Sequence, residues 1–408
     1  MEEREFADII REAGGRVFLV GGYVRDLLLK RPSKDRDYVI CGLKEQFFHE
    51  LFPGAKQVGS SFPVFLLSVG DAVCEVSFAR RERKSGKGYL GFAVEYDSDV
   101  TIEEDLFRRD TGMNSIAMEL PEGNLIDPYG GAEDIRLGRI RAVSEHFLED
   151  PVRALRAARQ AAELGFSISE DTIAYMSQCG DELKDEPHER ILGEMQKSLA
   201  SDKPSVFFRY LDRAGLLDIC FPEIFQLKGK PQPVEFHPEG DAYEHVLNVV
   251  DEVAVRNPDL EVRFAALCHD LGKGLTPEEM LPHHYGHEKT GVEVLRQWNS
   301  RMTLPKLWID CAEFVIREHM RAPRLEQPGK IVDLLMAIEK SKLSVKGFRD
   351  IVSVDHGGLP AYLENAEEII GRLLQVSGSG APEKLRGPKI AMWIRERRIR
   401  VYMERVKE

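Results

Sequence analysis

One stretch limits what this chain can become: VFLVGGYVRDLLLKRPSKDRDYV, from Val17 to Val39. Val17 to Val20 reads as a buried strand, broken by a turn at Gly21 and Gly22. A short helix through Asp26 to Leu29 follows, and then a second strand carrying Asp35 and Asp37. Side chains two apart on a strand share a face, so this reading points both aspartates one way and Arg36 the other. Paired carboxylates repel unless a cation sits between them, and hard oxygen ligands suit Mg²⁺. Glycines ahead of a helix N-terminus leave backbone N–H groups open to phosphate oxygens. An isolated Asp-x-Asp mostly just solvates, but here it is joined to the Gly-Gly turn, Arg25 and Asp26. That combination is the equipment of phosphoryl or nucleotidyl transfer.

Further segments follow in order: FARRERKSGKGYLGF, DLFRRD, IDPYGG, EDPVRALRAAR, HDLGKG and GPKIAMWIRERRIR. LVGGYVRD with KDRDYV resembles the opening motif of the bacterial tRNA nucleotidyltransferase and poly(A) polymerase family, and the later segments extend the resemblance along nearly the whole chain. It is similar to the multifunctional form, with an HD phosphohydrolase domain behind the transferase. The resemblance implies an α+β fold: a mixed-sheet nucleotidyltransferase head, a helical neck, an HD-type helical domain and a helical tail. It implies template-independent addition and repair of the 3′-terminal CCA of tRNA from CTP and ATP with Mg²⁺. Phosphatase or cyclic phosphodiesterase chemistry from the HD domain would be added to this. Narrower relatives remain as alternatives: an A-adding or CC-adding enzyme, or a poly(A) polymerase. A different alternative makes the HD hydrolase the main activity, behind an inactive RNA-binding head.

A chain of 408 residues has room for several cores. The expected divisions are a head over 1–145, a neck over 146–225, an HD-like unit over 226–360 and a tail over 361–408. No apolar run reaches membrane-span length, and the opening MEEREFADII is acidic rather than signal-like. Six scattered cysteines without a C-x-x-C pair read as buried free thiols, which suits a cytoplasmic setting. A net charge of −13 argues against indiscriminate nucleic-acid binding. From Ala381 to Glu408, however, nine Lys and Arg stand against four Glu. That basic helix, with Trp393 and Tyr402 among its arginines, suits tRNA contact. The expected assembly is a monomer or homodimer.

Within the head, Glu75 lies on the expected strand Ala72 to Phe78 as a possible third carboxylate, or merely as an exposed one. Arg80 to Gly91 is basic and Gly-rich, and reads as a mobile loop; by resemblance it serves the switch from adding C to adding A. In LFRRDTGMN an arginine suits phosphate and an aspartate suits a ribose hydroxyl. The resemblance carries nucleotide binding onto Gly21, Gly22, Arg25, Arg109, Asp110 and Asn114, while Thr111-Gly112 departs from the family pattern. IDPYGG reads as a turn and resembles the family's hinge.

Glu149-Asp150-Pro151 opens a helix on which Arg153, Arg156 and Arg159 recur at steps of three, forming a basic stripe. A carboxylate there would accept from the exocyclic amine of C or A while a guanidinium donates to the ring. The resemblance assigns this selection to Glu149, Asp150 and Arg153, with Arg156 and Arg159 as further nucleotide contacts. Beyond the neck, His245, His269-Asp270 and Asp355 have the ordering of an HD metal site, suited to a transition metal such as Ni²⁺ or to Mg²⁺. His284, His287 and His319 are further ligand or general-acid candidates.

Overall fold

The computed structural model describes residues 1–408 except 34, 59–62, 85–91, 236–237, 383–384 and 407–408. The class is α+β, and the chain divides into two compact units. The first comprises Met1–Glu194 and Val206–Cys220; the second comprises Met195–Ser205 and Phe221–Glu408.

The strands of the first unit include β1 Arg16–Val20, β2 Asp37–Cys41, β3 Lys56–Val58, β4 Val64–Val69, β5 Ala72–Phe78, β6 Arg81–Lys84, β7 Phe92–Glu95, β8 Ala117–Leu120 and β9 Asn124–Ile126. Seven of them form one sheet in the order β3-β4-β5-β2-β1-β8-β9. The β2–β5 neighbours run parallel, and the other pairs run antiparallel. The central strands are almost unbroken apolar runs because both their faces are buried. Val17, Leu19, Tyr38 and Ile40 point into one cluster with Phe6, Phe48 and Phe65. Phe18, Val20 and Val39 point into the other, with Ile102, Leu106 and Ala117. Burying β1 and β2 in this way fixes where their ends lie, and the site is built on those ends.

Two expectations change here. β2 begins at Asp37, so Asp35 stands in the irregular segment before it rather than on the strand. In KDRDYV the apolar pattern starts only at Tyr38, and nothing before Asp37 has a core to face. Arg36 does turn away, toward Glu3 and the Tyr23 ring. The Arg80–Gly91 segment is not all loop, because β6 and β7 pair as an antiparallel ribbon. Residues 85–91 of that segment lie outside the described residues.

The neck helix spans Val152–Leu164. In the second unit, helices Ala242–Arg256, Leu260–Cys268, His287–Met302, Lys306–Glu318 and Val345–His356 enclose Phe264, Trp298 and Phe348. Arg263, buried, binds the carbonyls of Leu199, Ser201, Ala254 and Asn257, so it fastens the 195–205 segment to that unit. The final helix Pro388–Val406 ties Arg395 to Asp333 and Arg405 to Glu368 and buries Tyr402. All six cysteines are free and buried. Among the described residues no helix is long and apolar enough to cross a membrane.

Candidate functional site

The Gly-Gly turn sits where β1 ends. Gly21 has φ +69° and ψ −135°, a conformation that a side chain makes costly. A Cβ there would stand 3.2 Å from Arg109 Nη1 and 4.0 Å from Asp37 Oδ2. The turn, the arginine and the aspartate thus converge, although they come from three separate segments. Gly22 opens the helix Gly22–Leu28. Val20 lies opposite Asp37 across the β1–β2 ladder, and Asp37 lies level with Glu75 across β2–β5. Register partners on neighbouring strands present their side chains to one face, so the sheet sets Asp37 and Glu75 side by side.

Asp37 is pushed up to about 6. Crowding by the surrounding protein contributes most, although the residue still opens to solvent; Glu75 and the nearby Asp35 push the same way, and Arg109 opposes them. Three acidic groups against one guanidinium, with oxygen donors only, suit a hard divalent cation such as Mg²⁺.

Arg109 is aimed by a residue that the motif reading missed. Asp105, fully buried, holds Arg109 Nη2 at 2.9 Å and Arg108 Nη2 at 2.7 Å. Burial pushes its carboxyl up, but the two guanidiniums and their hydrogen bonds bring it down to about 2. A carboxylate lowered in this way stabilises the fold above its unfolded value and loses that contribution as pH falls toward its folded value. Wild type should therefore exceed Asp105→Asn by about 2 kcal/mol near neutrality, the gap closing between about pH 4 and about pH 2. Urea titrations followed by circular dichroism across that range would measure it; a gap that stays constant with pH would refute the assignment.

A second chain of contacts links the turn to the neck helix. Arg25 Nε binds Asp26 Oδ1 at 2.9 Å, and Arg25 Nη1 binds Asn114 Oδ1 at 2.9 Å. Asn114 Nδ2 donates to Asp110 Oδ1 at 3.1 Å, and Arg156 Nε donates to Asp110 Oδ2 at 2.9 Å. Asp110 is buried, which alone would raise its pKa. Arg156, Asn114 and Arg153 nevertheless hold it well below the usual carboxylate range. The unusual Gly112 has a packing reason: a Cβ on it would stand 2.4 Å from Asp134 Oδ2, and one on Gly131 would stand 2.1 Å from the Gly112 carbonyl.

Asp150 Oδ1 accepts from Val152 N at 3.1 Å, and Arg190 Nη2 binds Oδ2 at 2.8 Å. Arg190 lies far along the sequence and carried no motif. Glu149 pairs with His146, and Arg153 donates to the His146 carbonyl, so Arg153 ties the start of the neck helix to the turn Glu145–Glu149 before it. Arg159 differs from the other arginines of the stripe, since Glu163 and Glu194 engage its guanidinium inside the neck.

In the second unit His245, His269, Asp270 and Asp355 come together. His245 Nε2 lies 3.0 Å from Asp355 Oδ1 and 3.3 Å from His269 Nε2, and His269 Nε2 lies 3.2 Å from Asp270 Oδ2. Carbonyl and carboxylate partners occupy the other ring nitrogens: the Ala266 carbonyl at His269 Nδ1 (2.7 Å) and Glu239 at His245 Nδ1. This is how metal-ligating imidazoles are oriented. Asp270 and Asp355 are held well below the usual range despite burial, Asp270 first by Lys273 and Asp355 first by His269. His269, which burial would lower, is raised to about 10 by the two carboxylates. Asp355 Oδ2 is buried without a hydrogen-bond partner, and this mixed N/O donor set fits a transition metal. His284 is turned elsewhere, to Thr276 and the Pro231 carbonyl.

Comparison with known proteins gives the family. The family described as Poly A polymerase head domain matches residues 17–141, the probable RNA and SrmB-binding site of polymerase A matches 165–227, and the HD domain matches 242–343. The multifunctional CCA protein of Mannheimia succiniciproducens is 42% identical over 74% of each chain, and that of Nitrosococcus oceani is 44% identical over 79% of each. Among solved structures, a Bacillus stearothermophilus CCA-adding enzyme in complex with CTP aligns over 98% of this chain and 91% of its own, with TM-score 0.63 and 24% identity. A tRNA nucleotidyltransferase complexed with a primer tRNA and an incoming ATP analog aligns over 91% and 98%, with TM-score 0.60 and 22% identity. A head of the polymerase type, an HD unit behind it and this level of identity place the chain in the family of multifunctional CCA proteins.

Proposed function

We propose that this chain adds and repairs the 3′-terminal CCA of tRNA without a template, taking CTP and ATP, and that its HD unit hydrolyses phosphate esters. The observation that carries the reading is the convergence of Gly21, Arg109 and the Asp37–Glu75 pair at the end of β1. Asp35 and Asp37, with Glu75 beside them, would hold Mg²⁺. Bound there, the metal would lower the pKa of the RNA 3′-hydroxyl and offset charge as pyrophosphate leaves. The amides of Gly21 and Gly22 would seat the triphosphate, and Arg109, aimed by Asp105, would bind its oxygens.

Asp150 and Arg153 would select the base. The Arg190 bond fixes the Asp150 carboxylate, and each of its oxygens keeps a second lone pair for the amine of C or A. G and U would set a keto oxygen there, leaving the carboxylate unpaired and repelled. Asp110, Asn114 and Arg156 would carry the position of the turn to this helix, while Arg159 would brace it. His245, His269, Asp270 and Asp355 would hold the HD metal, Ni²⁺ or a similar ion suiting the donors and Mg²⁺ being the alternative. The basic face of the last helix, where Arg397 lies over the Trp393 ring, would meet the tRNA. Buried free thiols support a cytoplasmic setting, with the chain acting as monomer or homodimer.

The test is a gel analysis of truncated tRNA, first with CTP alone and then with CTP plus ATP. Two added residues and then a third are expected. A long run of A would identify a poly(A) polymerase, and A added only to a CC end would identify the narrower A-adding relative.

A further inference from the structure

One cavity of the first unit takes no part in the chemistry above. It measures about 470 Å³, and its walls are three rings, Phe107, Tyr129 and His146, with four charged side chains around them. The rings meet at Phe107, whose centroid stands 5.5 Å from that of Tyr129 and 5.1 Å from that of His146. Phe107 ends the short helix Ile102–Phe107 and is 41% exposed. Tyr129 gives its hydroxyl to the Glu103 carbonyl at 2.9 Å, so its ring is what remains for a ligand. The charges cancel: Arg81 Nε lies 2.8 Å from Glu104, Arg108 is held by buried Asp105 at 2.7 Å, and Glu103 faces them as a second carboxylate. A phosphate would find no surplus of positive charge there, whereas a flat uncharged ring would find stacking partners. The volume falls in the usual range for small-ligand sites, roughly 300–1,000 Å³, which a single nucleoside fills in part.

Position narrows the choice of ring. Asp105 binds both Arg108, which lines the cavity, and Arg109, which reaches Gly21, so the cavity and the phosphate-seating turn share one buried anchor. His146, on another wall, pairs with Glu149 at 2.7 Å and accepts from Arg153 through its carbonyl. The incoming nucleotide is already provided for by these groups, and the three rings are left over. The second substrate must bring its 3′-hydroxyl to the same end of β1. We propose that the cavity stacks one of the last two bases of the RNA 3′ end, with Phe107 as the platform, and so holds the strand that is extended. This subsite rests on the transferase part of the proposed function, because only a strand being extended would bring its bases there.

The test is a binding cycle. Full-length wild type, Phe107→Ala and Phe107→Tyr are titrated, without nucleoside triphosphate, into 5′-labelled tRNA ending in CC, either intact or with an abasic sugar at the last or the next-to-last position. Phe107→Ala should weaken binding of the intact RNA by about tenfold or more, and Phe107→Tyr, which keeps the ring, should bind like wild type. At one of the two positions the abasic sugar should weaken binding to wild type by a similar factor and to Phe107→Ala by less than about twofold, since ring and base are two halves of one contact. Losses that multiply for both abasic RNAs would overturn the subsite, and so would wild-type binding by Phe107→Ala. Phe107→Tyr as weak as Phe107→Ala would reduce the ring to a packing role and overturn it as well. A loss of CTP affinity in place of RNA affinity would give the cavity to the incoming nucleotide instead. Wild type that extends truncated tRNA with CTP and ATP while Phe107 proves indifferent loses the subsite alone; wild type that extends none loses the transferase reading with it.

Discussion

Asp37→Ala should lower CTP incorporation by about 10³-fold or more, equivalent to roughly 4 kcal/mol of transition-state stabilisation. The expectation follows from position. Asp37 is the first residue of β2, fixed by the ladder to β1 and level with Glu75, so no other carboxylate can take its place beside Gly21 without moving the sheet. Glu75→Ala, which leaves Asp35 and Asp37, should cost less. Thermal stability separates lost chemistry from lost fold. Asp37 sits among like charges that push its carboxyl up, so removing it relieves repulsion, and the variant should melt no lower than wild type at neutral pH. Phosphate release by the HD unit should continue. Incorporation within about tenfold of wild type would remove Asp37 from the reaction and end the metal-site reading of the head.

The parts of the head that could be read in the sequence were those where burial repeats along the chain. VFLV and YVIC are buried on both faces, and the alternation from Ala72 to Phe78 gave the third central strand with its bounds. Asp35 was misplaced because a spacing of two implies a shared face only inside a strand, and the strand starts too late. Asp105 left a signal that went unused. It lies three residues after Ile102 and one before Leu106, on the apolar side of its short helix, where an acid must find partners. Arg190 left no such trace: its meeting with Asp150 depends on how the neck folds back, and neither residue's neighbours encode it. The HD histidines were legible as a set but not as a geometry, since only the packed helices turn His284 away and bring His287 and His319 to Asp270.

The largest stability effect is expected at Asp110. Its carboxylate is buried, and its two oxygens serve Thr111 N, Asn114 Nδ2 and Arg156 Nε. Asp110→Ala removes the centre of that network and strands a guanidinium and an amide, a loss of about 3–5 kcal/mol. The chain supplies its own way to localise the damage. Its three tryptophans, Trp298, Trp308 and Trp393, all belong to the second unit, so their emission reports only that unit, while far-ultraviolet circular dichroism reports both. In urea, Asp110→Ala should move the dichroism transition to lower denaturant and leave the tryptophan transition in place. Asn114→Ala breaks the same network one step further out and should give a smaller shift of the same kind, about 1 kcal/mol. Combined with Asp110→Ala it should add almost nothing, because its partner is already gone. Additive losses in the double variant would mean that the turn and the neck helix are held independently, and Asp110 would then be an isolated ion pair rather than the join between the Gly-Gly turn and the neck helix.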